Sequence, residues 1–299
     1  MNDITIRDGH YIGPLRAPAN EGRATSGNIH SDDDARRLGF RGGLVAGSIH
    51  MEQLLPLLVR AFGERWIERG SISLYFLSPT LHGEPVRGAI GVPPEGASDA
   101  QVDVWMEREN GERICEGTAA AGAPPEPSAL RARQLDAHPP GELRILAGAR
   151  PGDALPVVDT SISHATVDAR LREITEPSPW YNDPSRWGGI LLTTVNQVNL
   201  LIAPATAYQR QTGSGAAIGL YGAIELRNVN GPLLADVTYR AGGTLLYAGQ
   251  TPKTEYLWFD TYAELEGKRI AEMRMMLRFM KASSPLYAEE TATTRHLSS

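Results

Sequence analysis

The chain is poor in cysteine. Its 299 residues include one, Cys115, which excludes an internal disulfide framework and fits a reducing compartment such as the cytoplasm. A lone Cys in a strand-like run reads as a small buried hydrophobe rather than a nucleophile. No apolar run approaches the roughly 18 residues that a membrane-spanning helix needs. Positive charge is not in excess either. The chain has 29 Lys and Arg against 35 Asp and Glu, a formal net charge of -6, so no global attraction to nucleic acid or an anionic membrane is expected. Met1 to Thr5 lacks a basic stretch followed by an apolar one, so no signal peptide is expected and the protein is placed in the cytoplasm. His and Cys residues lack zinc-ligand spacing, and no Gly-rich phosphate loop follows a strand. Gly213-Ser214-Gly215 comes after a helix and reads as a loop. No Gly-x-Ser-x-Gly elbow occurs. No metal and no cofactor are expected.

What the chain does have is length for two domains of ordinary size and an internal repeat. Trp105 and the motif Gly111-x-Arg113-Ile114-x-Glu116 recur as Trp258 and Gly267-x-Arg269-Ile270-x-Glu272. Gly42-Gly43-Leu44 likewise recurs as Gly188-Gly189-Ile190. In each copy an apolar helical pattern follows. The first runs from Gly47 to about Phe62, with Ile49, Leu54, Leu57 and Leu58 on one face. The second runs from Thr193 to about Gln209, with Val195, Val198, Leu201 and Ile202. Strand-like runs come after each helix, at 71–76, 84–92 and 101–105 and again at 223–226, 234–239, 254–259 and 269–280. In the last run Met273, Met275, Leu277 and Phe279 alternate with Arg274 and Arg278, and the repeat favours strand over helix. The reading is α+β, with units at 1–120 and 150–285, a Pro-rich linker at 121–149 and a tail at 286–299 that frays. Residues 130–140 are polar and are expected to cross the surface.

Helix, wrapping sheet, duplication and Gly-rich helix entry together resemble the MaoC-like hydratases and dehydratases. The resemblance implies a double hotdog fold: two hotdog units in one chain, each a long helix wrapped by a curved antiparallel sheet. It also implies a hydro-lyase that adds water to, or removes it from, the C2–C3 bond of an acyl thioester. The substrate would be a small acyl group on coenzyme A or a carrier protein, and the chain would pair into a homodimer or another homo-oligomer. The family motif runs roughly Asp-x-Asn-Pro-x-His, then Gly-Phe, then His-Gly at the helix start. Here His30 matches the His, Asn28 lies near the Asn, Gly39-Phe40 matches Gly-Phe, and Gly47 matches the last Gly, with Ala46 in place of its His. The Asp position falls at about Thr25 or Ser26, neither of them a carboxylate.

The second copy has Glu176 where the motif has Asp, Pro179 in place, and Tyr181 where it has His. The resemblance therefore makes His30 and Glu176 the proton-transfer groups, with Tyr181 a hydrogen-bond donor or weak acid. Asn28 would orient water or substrate. A backbone N–H of Gly47 or Thr193 would hold the thioester carbonyl, and Trp180 and Trp187 would line the ligand. Plainer readings stand beside these. His30 can cap the next segment. Trp180, Tyr181 and Trp187 can simply pack a Pro-rich loop over the core. Asp32 reads as a helix N-cap, His50 as packing or surface, and His82 as turn chemistry. Two alternatives to the hydro-lyase remain. One is a hotdog thioesterase, or a lyase or cyclase on an unusual metabolite. The other is a degenerate hotdog that binds a ligand or serves as a scaffold.

Overall fold

The computed structural model of the chain describes residues 3–137, 139–184, 186–213 and 217–288. The N-terminal half carries strands β1 (Thr5–Arg7) and β2 (His10–Ile12), then helices α1 (Asp32–Arg37), α2 (Gly47–Gln53), α3 (Leu55–Phe62) and α4 (Arg65–Arg69). Strands β3 (Gly70–Phe76), β4 (Val86–Gly91), β5 (Ala100–Arg108) and β6 (Arg113–Ala121) complete it. The C-terminal half carries β7 (Ala154–Thr160), α5 (His164–Leu171), α6 (Thr194–Leu201), α7 (Ala203–Thr212), β8 (Gly219–Asn228), β9 (Tyr239–Gln250), β10 (Thr254–Leu265) and β11 (Lys268–Met280). Among the described residues no helix is long and apolar enough to cross a membrane.

All the strands form one antiparallel sheet in the order β1-β2-β4-β5-β6-β3-β8-β11-β10-β9-β7. The halves meet where β3 pairs with β8, with Leu74 opposite Ile224. Outward from that seam the halves match strand for strand from β3 to β2 and from β8 to β7, with β1 an addition at the N-terminal edge, so the duplication in sequence is a duplication in topology. The Gly111 and Gly267 turns close the matching hairpins, but the tryptophans are not in equivalent register: Trp105 lies opposite Glu116, whereas Trp258 lies opposite Met276 and Tyr262 faces Glu272. On β11, Met273, Met275, Leu277 and Phe279 are buried against the helix layer while Arg274 and Arg278 stay half-buried, which is strand alternation.

The continuous helices expected from 47 and 193 are each broken once. Pro56 and Pro204 lack the N–H that would bond one turn back, so the path kinks at Leu54 and Ile202. The break falls at the same place in both copies. Ser31, not Asp32, caps α1, accepting from the Asp34 N–H; the Asp32 carboxylate instead accepts from the Gly43 N–H at 2.8 Å. The run 234–239 is not a strand. Leu234 makes one bridge to Leu191, and Asp236 has φ of +59°.

The segment after β6 departs most from expectation. Leu130 is fully buried, packed with Ala223, Tyr247, Trp258 and Met276 on the sheet face opposite the main core. Ser73 Oγ accepts from the Leu130 N–H at 3.0 Å, which anchors the segment to the seam strand. Residues 289–299, most of the expected tail, lie outside the described residues, as do 214–216 of the loop after α7. Because Leu130 covers the seam from outside, Leu130→Ala is expected to cost about 2–5 kcal/mol of stability, read from urea unfolding.

Candidate functional site

The short segment from Leu44 to Gly47 organises the site. Its Leu44 N–H donates to the Ile29 carbonyl at 3.1 Å and its Val45 N–H to the Thr80 carbonyl at 2.9 Å. The Leu44 carbonyl lies 2.7 Å from His30 Nδ1. A carbonyl only accepts, so Nδ1 carries the proton and the neutral ring keeps its lone pair on Nε2. The loop that presents this ring is tightly specified. A Cβ on Gly43 would stand 2.0 Å from the His30 carbonyl oxygen, and that oxygen accepts from Asn20 Nδ2 at 2.8 Å. Asn28 Oδ1 accepts from the N–H groups of His30 and Ser31, at 2.8 and 3.1 Å, while Asn28 Nδ2 donates to the Thr25 carbonyl. Asn28 is thus occupied in shaping the His30 loop.

His30 and Gly47 border a cavity of about 730 Å³. Phe40, Leu44 and Phe76 form its apolar near wall; Tyr221, Thr254 and Arg278 come from the other half. The site therefore needs both halves of the chain. A Cβ on Gly47 would lie 2.3 Å from the Phe76 ring, so only glycine lets that ring close over the start of α2. Neither the Gly47 nor the Ser48 N–H has a hydrogen-bond partner among the described residues. No Asp or Glu borders the cavity among the described residues.

His50 belongs to this cavity, beyond its expected role as packing or surface. It is 4% exposed, with Nδ1 3.0 Å from Gln53 Oε1 and Nε2 2.5 Å from Thr80 Oγ1. Burial drives its pKa from 6.5 down to about 4, against the opposing pull of the Gln53 hydrogen bond. The ring is neutral at ordinary pH. Its sequence signal is weak, because one His on an apolar helix shows neither its depth nor its partner.

The structure does not bring Glu176 to this cavity. Its carboxylate pairs with Arg16 Nε at 2.8 Å, beside the α2–α3 junction. Burial raises the Glu176 pKa and Arg16 opposes that shift. Tyr181 also lies elsewhere, at the start of α6, 3% exposed. Burial first, and then the nearby Glu52 carboxylate, push its phenol well above the usual range, so it stays protonated. Thr193 caps α6: its Oγ1 accepts from the Asn196 N–H at 3.3 Å and donates to Asn196 Oδ1 at 2.8 Å. Trp180 and Trp187 stack edge to face at 5.9 Å and pack against the core, and Trp187 Nε1 donates to Glu68 at 3.2 Å. Neither ring borders the cavity.

The α6 start is filled from inside the protein. Glu52, on α2 of the other half, is 1% exposed and accepts from Arg170 Nε and Nη2 at 2.9 and 2.5 Å. Its Oε1 lies 3.5 Å from the Val195 N–H. A protein carboxylate thus stands where α6 would otherwise offer its N–H groups to a ligand. Glu52 and Arg170 are 118 positions apart, and neither marked itself as a site residue.

No family model matches the chain, and no curated protein matches it in sequence. In structure it is similar to a MaoC domain protein assigned as a dehydratase from Chloroflexus aurantiacus, with a TM-score of 0.61 and 13% identity over 92% of this chain and 96% of that one. It is similar to a MaoC-like dehydratase at 0.55 and 16%, over 91% of this chain and 98% of that one. A conserved hypothetical protein from Mycobacterium tuberculosis, described as having a double hotdog fold, matches at 0.56 and 14%, over 89% of this chain and 94% of that one. The chain has the double hotdog fold.

Two measurements check this geometry. Arg170→Met strands the buried Glu52 carboxylate and is expected to cost about 3–5 kcal/mol in urea unfolding, with much of the loss recovered in Glu52→Gln/Arg170→Met. For His50 the unfolded chain takes up a proton near pH 6.5 and the folded chain only near pH 4, so the unfolded state binds more protons between them. His50 should therefore remove about 3 kcal/mol of stability as pH falls from 6.5 toward 4. His50→Leu should flatten that part of the stability–pH curve.

Proposed function

We propose that the chain is a hydro-lyase of acyl thioesters that works at the cavity bordered by His30. The observation that carries the reading is the state of that ring: Nδ1–H is committed to the Leu44 carbonyl and Nε2 is left with its lone pair. In the dehydration direction Nε2 takes the proton from C2 of a 3-hydroxyacyl thioester. The C2–H electron pair forms the C2–C3 double bond as the C3–O bond breaks. The protonated ring then returns its proton to the departing hydroxyl, which leaves as water. Hydration is the reverse. One ring acting as base and then acid balances the reaction without a carboxylate. The free N–H groups of Gly47 and Ser48 are suited to the thioester oxygen, where charge builds as C2 loses its proton. The largely apolar wall suits an acyl chain. The thioester would be carried by coenzyme A or a carrier protein in the cytoplasm, and the chain would pair as a homodimer.

A second reading has its own support. The absence of a carboxylate among the described cavity residues favours a protein that binds an acyl ligand without turning it over. The two separate in one assay. With crotonyl and 3-hydroxyacyl thioesters of several chain lengths, the enzyme reading expects interconversion followed by ultraviolet absorbance. His30→Ala should lower kcat by about 100-fold or more, while Glu176→Gln, outside the cavity, should stay within about threefold of the parent rate. Binding with no turnover of any of these thioesters sinks the hydro-lyase.

A further inference from the structure

We propose that Thr80 holds the substrate's 3-hydroxyl, acting as a fixed hydrogen-bond acceptor where no carboxylate borders the cavity among the described residues. The inference rests on the hydro-lyase reading and deepens it.

It starts from a chain of side chains whose proton directions are all determined. Gln53 Nε2 donates to Thr175 Oγ1 at 3.3 Å, which turns Gln53 Oε1 toward His50. An amide oxygen only accepts, so the proton between them sits on His50 Nδ1. Burial keeps the ring neutral, so Nε2 holds a lone pair. The Thr80 hydroxyl, 2.5 Å from Nε2, must donate to it. That uses the one proton the hydroxyl has. Thr80 Oγ1 keeps its acceptor capacity, and no other side chain or N–H among the described residues donates to it. His50 thus acts as a positioning residue: it makes Thr80 an acceptor and prevents it from being a donor.

Placement adds to polarity. Thr80 and His30 both border the cavity. They are tied to the same peptide group: the Leu44 carbonyl meets the His30 ring, and the Val45 N–H meets the Thr80 carbonyl. The reaction needs a base at C2 and a grip on the oxygen at C3, on adjacent carbons. An acceptor grips a hydroxyl by its proton and leaves the oxygen lone pairs free to take the proton that His30 returns. It offers nothing to a saturated chain. Thr80 is 1% exposed and its hydroxyl proton is already given to His50, so an oxygen lone pair is all it has left to offer a ligand. The ligand class is therefore an acyl chain with a hydroxyl donor at C3.

The test measures the affinity of 3-hydroxybutyryl-coenzyme A against butyryl-coenzyme A by calorimetry, in full-length His30→Ala protein so that turnover is slow on the timescale of the titration. The hydroxylated ligand is expected to bind about tenfold tighter, about what one neutral hydrogen bond provides. Adding Thr80→Val should abolish that preference with little change in butyryl affinity, and Thr80→Ser should keep it. Thr80→Ala, which opens space rather than filling it, should also lose the preference and stands in if the Val variant does not fold. A preference unchanged in both Val and Ala variants overturns the assignment, as does binding of both ligands with no preference at the start. If neither ligand binds, the thioester reading itself falls and this inference falls with it.

Discussion

The buried ion pair between Glu52 and Arg170 makes the two halves of this protein unequal. Glu52 leaves α2, crosses between the halves and ends at the start of α6, where Arg170 neutralises it. A carboxylate this deep is tolerated only with a hydrogen-bonded counter-charge, so the pair depends on α5 being folded against the helix layer. Tyr181 and Thr194 complete the same pack of polar groups. What closes one helix start leaves the other, at Gly47, open to the cavity.

The open side follows from a different set of constraints. Leu44 and Val45 use a single peptide group to hold His30 on one side and the loop at Thr80 on the other. Tight glycine positions at 43 and 47 let the loop and the Phe76 ring approach closely. The far wall comes from the C-terminal half, so the seam between β3 and β8 is a condition of the site as well as of the fold.

Much of this architecture was legible in the sequence because it is periodic. The Gly111 and Gly267 motifs mark matching hairpins, and the Met–Arg alternation after Arg269 marks β11. Pro56 and Pro204 were equally visible as helix breakers, but the apolar pattern continues across them and hides the kinks. The site was harder, since its decisive pairings join distant residues. Glu52 reads as the polar face of an amphipathic helix until Arg170 is seen beside it. His50 and Thr80 are separated by two helices and a strand. Glu176 has the motif's spacing, yet spacing does not reveal that Arg16 occupies its carboxylate. Leu130 sits in a polar stretch, and only the fold shows that it seals the outer face of the seam.

The topological duplication has one more consequence. The repeat register places Val198 of α6 where α2 has Glu52. Were the two halves separate identical subunits, each helix would carry the same residue, and a carboxylate at that position would block both sites across the dyad. Joining the copies in one polypeptide removes that constraint. Each position can then diverge alone, and one ancestral pocket can become a structural joint while its twin stays free for a ligand.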